Sequence, residues 1–205
     1  MKYRNKMAGL LAAALALPLL AAAQGSSESA AGSTGTELAD VITAYAKRNG
    51  KKVIIDPRVR QVVTVAGLDA NRLNYEQLLA VLAVHQFAAY EDGDLLIVGP
   101  DANARQFPTS VFTDAKFKAE NDEIVTLLQT PKNACAVQLV PILRPMMPQA
   151  AHLAATPQAN SLVIVDRAVN VRRIADIMDK IDRATPAGRS CEDSWVVKKD
   201  DAPKK

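Results

Sequence analysis

"LVPILRPMMPQAAHLAATPQANSLVIVD", Leu139 to Asp166, sets four prolines among strong apolar runs and closes as a buried strand. Leu139, Val140 and Leu143, with Ala136 before them, recur at helical spacing, and Asn133 stands where it would cap such a helix. Pro141 is the discordant element. Inside a helix it deletes a backbone hydrogen bond and crowds the preceding turn, a cost of about 3 kcal/mol unless a kink absorbs it. Pro145 and Pro148 are expected to end the helix and force an extended connection. "HLAAT" and "SLVIVD" then follow as strands separated by a Pro-Gln-Ala-Asn turn. The stretch therefore predicts a kinked helix, a rigid connector and two strands of one small sheet.

Working outward, "EIVTLLQT" supplies a strand upstream, and downstream Asn170 caps a helix whose Val171, Ile174, Met178 and Ile181 make one stripe. The order is strand, helix, strand, strand, helix. Nearer the N-terminus, Leu38, Val41, Ile42 and Tyr45 mark an amphipathic helix that stops at Asn49-Gly50. "KVIIDPRV" and "QVVTVAG" read as strands, and Asn74 with Gln77 forms a capping box for a second helix. "FAAYEDGDLLIVGP" reads as a hairpin turning at Asp92-Gly93. That order is helix, two strands, helix, two strands. The fold class is α+β, with two small modules at 37–99 and 123–183. They are separated by a linker without helical or strand period at 100–122, preceded by a flexible lead at 24–36, and followed by a polar tail at 184–205 in which Trp195 is a candidate docking point.

Lys2, Arg4 and Lys6 precede an uncharged run from Met7 to Ala23 that is interrupted by Pro18 and closes on three alanines. This predicts a signal peptide over residues 1–23, cleaved near Ala23, and export to the periplasm. The formal charge of +3 resides in that segment, leaving the remainder neutral and removing the case for a nucleic-acid or anionic-membrane partner.

The sequence argues against enzymatic chemistry. His85 closes the second helix and His152 opens a strand, neither in metal or triad spacing. Asp92 and Asp94 belong to a turn, and Asp176, Asp179 and Asp182 to an exposed helix face. No cofactor, metal or small-molecule substrate is implied. Cys135 and Cys191 leave two alternatives open, a disulfide stapling the tail to the second module, or a small buried Cys135 beside a free Cys191.

"NGKKVIIDPRVRQVVTV" (Asn49 to Val65) and "NYEQLLAVLAVHQFAAYEDGDLLIVGP" resemble the first periplasmic module of bacterial secretins. "DEIVTLLQTPKNACAVQLVPILRPMMPQAAHLAATPQANSLVIVDRAVNVRRIADIMDKID" is similar to the next module in the type II secretion branch of that family, and the matches run from Leu38 to Asp182. The resemblance implies modules that stack into rings at a channel entrance and meet inner-membrane components and cargo. The second module's order is also KH-like, but no Gly-x-x-Gly loop is present to grip a nucleic acid.

Two departures from the family pattern stand out. The strand that opens the family's first module has "GSSESAAGSTG" in its place, so the first sheet is expected to lack an edge strand. No array of amphipathic strands for a barrel follows the second module. The expectation is thus a periplasmic accessory or adaptor of a type II secretion system, associated with the outer-membrane complex. Its partner would be a secretin or an inner-membrane secretion component, with self-association in a ring as a further expectation. A split or degenerate secretin fragment and a periplasmic sensor module are the alternatives. Candidate contact residues are the edge strand Val53, Ile54 and Ile55 and the basic residues Arg58, Arg60 and Arg144.

Overall fold

The structure, a computed structural model, describes residues 35–188 and Cys191. The expected signal peptide, its cleavage site, the lead up to residue 34, and Trp195 lie outside the described residues. The lead nevertheless ends in structure. β1 (Thr36–Glu37) pairs antiparallel with β3 (Val62–Val63) in a separate two-stranded sheet, so a short strand does precede the first helix but supplies no edge to the three-stranded sheet. Gly35 permits it, because a Cβ there would stand 2.2 Å from Val62 Cγ1.

α1 (Leu38–Arg48) buries Leu38, Val41, Ile42 and Tyr45, with Asp40 in its first turn and Lys47 and Arg48 in its last to complement the helix dipole. α2 (Tyr75–Val84) opens on the expected capping box: Asn74 Oδ1 accepts from the Gln77 amide at 2.8 Å, and Gln77 Oε1 from the Asn74 amide at 2.9 Å. Both helices share a core with one face of a sheet of order β2-β5-β4, formed by β2 (Lys52–Ile55), β4 (Phe87–Asp92) and β5 (Leu95–Pro100). The hairpin turns at Gly93-Asp94, not at Asp92-Gly93, because Asp92 already pairs with Leu95. Gly93, at φ 59°, supplies the positive φ at the first turn position.

The stretch 100–122, expected as a linker, is built into the fold. Asp101–Gln106 forms a 3-10 helix, and β6 (Val111–Phe112) joins the second sheet parallel to β7 (Ile124–Gln129). Periodicity missed it because two residues have no period to show. The sheet runs β6-β7-β9-β8, with β8 (His152–Thr156) and β9 (Ser161–Arg167) antiparallel to each other. One face is covered by α3 (Ala136–Leu143) and α4 (Ala168–Ala184), which extends one residue into the expected tail. Pro141 lies within α3, and Pro145, expected to end the helix outright, instead takes part in a further 3-10 turn, Arg144–Met146.

Neither predicted cap operates as expected. Asn170 is inside α4 and turns its side chain to Asp166. Asn133 gives its side-chain amide to the Asp182 carbonyl at 3.0 Å. The amides before α3 are met from far along the chain. Asp182, expected on an exposed helix face, is instead only 6% exposed, because it turns under the loop and accepts from Lys132 (2.9 Å), Asn133 (2.7 Å) and Ala134 (2.7 Å); Asn160 Oδ1 accepts from Ala136 at 2.8 Å. Next to this loop Cys135 is joined to Cys191 with their Cα atoms 5.4 Å apart. In the chain-entropy model, closing that 56-residue separation is worth about 4 kcal/mol.

The second faces of the two sheets meet through Ala88, Ile124 and Val165, with Ala104 of the 3-10 helix packed among them. Arg167 spans the junction, donating to the carbonyls of Asp122 (3.3 Å) and Phe87 (3.2 Å) and to Asp101 Oδ2 at 3.4 Å. Beside it, burial lifts the Asp166 carboxyl above its ordinary pKa, against the Arg167 amide and the Asn170 side chain, which favour the charged form.

For Asp182, burial raises the carboxyl and the three amides more than offset it, so its pKa is held below the ordinary value of 3.8. A lowered carboxylate contributes stability that is complete above the unfolded value and is lost as pH falls through the folded one. Asp182→Ala is therefore expected to cost about 3 kcal/mol at neutral pH, since it leaves several amides without an acceptor. Urea unfolding as a function of pH checks this: the difference from the parent chain should shrink below pH 3.8.

Candidate interaction surface

Alternation along β2 decides which of its backbone groups are available. The Lys52 amide bonds to the Asp94 carbonyl at 2.8 Å and the Asp56 amide to the Val98 carbonyl at 3.0 Å, both toward β5. In a parallel ladder successive residues alternate in the direction of their hydrogen bonds, so Val53 and Ile55 direct theirs away from the sheet. Among the described residues no strand pairs with β2 on that side. Val53 and Ile55 pack their side chains on the core, whereas Ile54, on the other face, is 53% exposed. An open edge with one apolar side chain standing beside it can accept a strand from another chain.

The residues after β2 form a closed turn. Arg58 folds back on Asp56, with Nε at 2.8 Å from Oδ1, Nη2 at 2.9 Å from Oδ2, and its own amide at 2.9 Å from Oδ1. These bonds hold the Asp56 carboxyl at about 2 and raise the Arg58 guanidinium. Arg60 Nε donates to the Pro57 carbonyl at 2.8 Å. Both arginines, singled out as contact residues, thus spend hydrogen bonds on the turn while remaining exposed.

Lys52 pairs with Asp94 and Lys51 with Glu91, so the flank of the edge is charged but balanced. Val53, Ile54, Ile55, Arg58 and Arg60 come together on the first module. Arg144 does not join them: it sits on the second module, donating to the carbonyls of Pro148 and Gln149, both at 3.2 Å. His85 is the residue at which α2 ends and His152 the exposed first residue of β8. Among the described residues no group of three or more His, Cys, Asp or Glu side chains is placed to hold a metal ion.

Residues 33–98 match a family model described as GspD-like, N0 domain. The chain is 30% identical over 151 residues to Secretin XcpQ of Pseudomonas aeruginosa, covering 72% of this chain and 22% of that protein. It is 33% identical over 192 residues to Secretin GspD of Vibrio cholerae, covering 90% and 28%. The solved Klebsiella pneumoniae type II secretion system outer membrane complex, with PulD, PulS and the PulC HR domain, contains a similar chain. That match has a TM-score of 0.62 and 32% identity over 73% of this chain and 26% of the other. The chain spans about a quarter of the length of these curated relatives.

The turn after β2 makes its own forecast. A nuclear magnetic resonance titration of the Asp56 carboxyl is expected to give a midpoint near 2, moving back toward 3.8 in Arg58→Ala. Because the value is lowered, the turn's contribution is complete above pH 3.8 and fades as pH falls toward 2. An Asp56 midpoint at the ordinary value in the parent chain would show that the turn is open.

Proposed function

We propose, from a chain whose residues 33–98 match a GspD-like N0 domain and whose longer span is similar to part of the secretins XcpQ and GspD, that it acts in the periplasm by docking other proteins. Its role is that of an accessory or adaptor component of a type II secretion complex. The observation that carries this reading is the open edge of β2, with outward backbone groups at Val53 and Ile55, an exposed Ile54, and a rigid Asp56-Pro57-Arg58 turn at its end. Such an edge offers main-chain hydrogen bonds for affinity and one apolar side chain for register. The similarity to a chain in a complex of PulD, PulS and the PulC HR domain supports a secretin or another secretion-system component, one of the inner membrane included, as the class of partner.

The test is to recover partners of the chain from the envelope of its own cell and then measure their affinity for edge variants. Val53→Pro removes an outward amide donor while leaving the bonds from Lys52 and Asp56 to β5 in place. It is expected to weaken partner binding by about tenfold or more, that is about 1.4 kcal/mol, with little change in the urea midpoint. Ile54→Lys should weaken binding in the same direction. A secretin or inner-membrane component that binds both variants as tightly as the parent chain would remove β2 from consideration. Recovery of the chain alone, folded and without any secretion component, would overturn the adaptor role.

A further inference from the structure

From Ile124 to Val165 the chain contains no aspartate or glutamate, and its charged side chains over that length are Lys132 and Arg144. The stretch builds β7, α3, the 3-10 turn after it, β8 and β9. α3 turns Ala136, Leu139 and Leu143 into the core, which leaves Pro141 and Ile142 outside, and the turn adds Pro145 and Met146, both exposed. Ile142 is 48% and Met146 44% exposed. Among the large apolar residues that the described chain leaves in solvent, they are the two within one helical turn of each other along the chain. At that spacing side chains are neighbours on the surface. A ridge of this kind, held by two prolines whose φ is fixed, gives up little conformational freedom when it is covered.

Two guanidinium groups flank the ridge. Arg144, half-buried, donates from Nη1 to the Pro148 carbonyl and from Nη2 to the Gln149 carbonyl. Arg173, exposed on α4, reaches the Met146 carbonyl at 2.7 Å. These acceptors are neutral, so they fix both side chains in place without cancelling their charge. A guanidinium carries five N–H donors, and most of them stay available. The carboxylates nearby are occupied or out of reach. Asp166 feels the Arg173 charge but is 5% exposed, and its burial favours the neutral form. Asp176, one turn after Arg173, is paired with Lys180 at 2.6 Å, and Asp179 with Arg183. Lys132 stands at the other end of α3, beside Asp182. The surface is thus apolar at its centre and positive at its rim, whereas the flank of β2 is charge-balanced.

We propose that this ridge is a second docking surface and that its occupant is an acidic amphipathic segment of another protein, with apolar side chains over Ile142 and Met146 and carboxylates on Arg144 and Arg173. The inference rests on the reading of the chain as a docking protein and is independent of the β2 edge. Carboxylate oxygens accept from an arginine more strongly than neutral carbonyls do, and pairing through two N–H groups fixes their orientation. A positive rim speeds encounter with a negative segment and selects against basic ones. The apolar centre supplies the dry contact area that exposed charge pairs alone do not.

The full chain is produced in its own cell with a photoreactive benzophenone amino acid in place of Ile142 or, separately, Met146, and the irradiated products are identified by mass spectrometry. Both positions are exposed, so the fold tolerates the replacement. The expected result is a crosslink to one segment of another protein in which Asp or Glu alternate with apolar residues at helical spacing. Arg173→Glu, and Ile142→Glu read from the Met146 position, should each lower its yield several-fold without moving the urea midpoint. Arg173→Lys, which keeps the charge, should lose less. A crosslink to a neutral or basic segment, to lipid, or to another copy of the chain would overturn the proposal. So would a crosslink to residues 192–205 of the same chain, which would give the ridge to its own tail. Absence of any crosslink, or a yield that charge reversal leaves unchanged, would overturn it equally. Partner binding that survives those results and still falls with Val53→Pro would leave the adaptor reading in place and strike the ridge alone.

Discussion

The turn that carries the chain from β7 into α3 has three successive amides that strand and helix leave unpaired, and one carboxylate, Asp182, takes all three. A buried amide without a partner costs about as much as a lost hydrogen bond, so the loop cannot hold this shape unless the end of α4 lies against it. That requirement fixes the last turn of α4 relative to the first turn of α3. Asn160, left-handed at φ 46°, completes the arrangement from a third element by taking the Ala136 amide and giving its own to the carbonyls of Pro131 and Ala134. Helix, helix and hairpin therefore converge on five residues, and the disulfide closes at the edge of a loop already held in place. Covalent and non-covalent restraints reinforce each other there.

The first module solves a different problem. Its helices cover one face of a three-stranded sheet, and the second face is satisfied only where it meets the other module. Small residues, Ala88 and Ala104, allow the approach, and Arg167 reaches across to carbonyls on both sides. An arginine suits this place because its fork can serve several acceptors at once while staying charged. Among the described residues the rim at β2 stays unpaired, and there it adjoins a turn locked by Asp56 and Arg58. Cohesion between modules thus uses a different part of the sheet from the unpaired edge at β2.

How much of this was legible in the sequence depends on the distance over which each feature is determined. α1, α2 and α4 announce themselves through stripes such as Val171, Ile174 and Met178, and the capping box of Asn74 and Gln77 is wholly local. β1 and β6 were missed because a two-residue strand shows no alternation and exists only by virtue of the strand it joins. Asn133 and Asn170 have the composition of caps, yet the amides before α3 are met by Asp182 and Asn160, which no spacing rule connects to them. The edge at Val53 to Ile55 could be seen as a short apolar run. That Arg58 would close on Asp56 could not be seen, whereas the place of Arg144 on the second module followed from the module bounds.

β6 gives the connection between the modules a mechanical character. The path from β5 to β7 passes through a strand zipped to β7 by a two-residue register, Val111 to Thr126 and Phe112 to Leu127. Tension drawing the first module away would arrive at those two residues before it reached either core. It would load them together with the Arg167 clasp as a short series of breakable links. Beyond them the chain is anchored again, because Phe117 lies in the second core with Ala115 and Ala119 packed beside it. The connection is therefore a series of discrete restraints, a strand pair, a clasp and a buried ring, and not a slack tether.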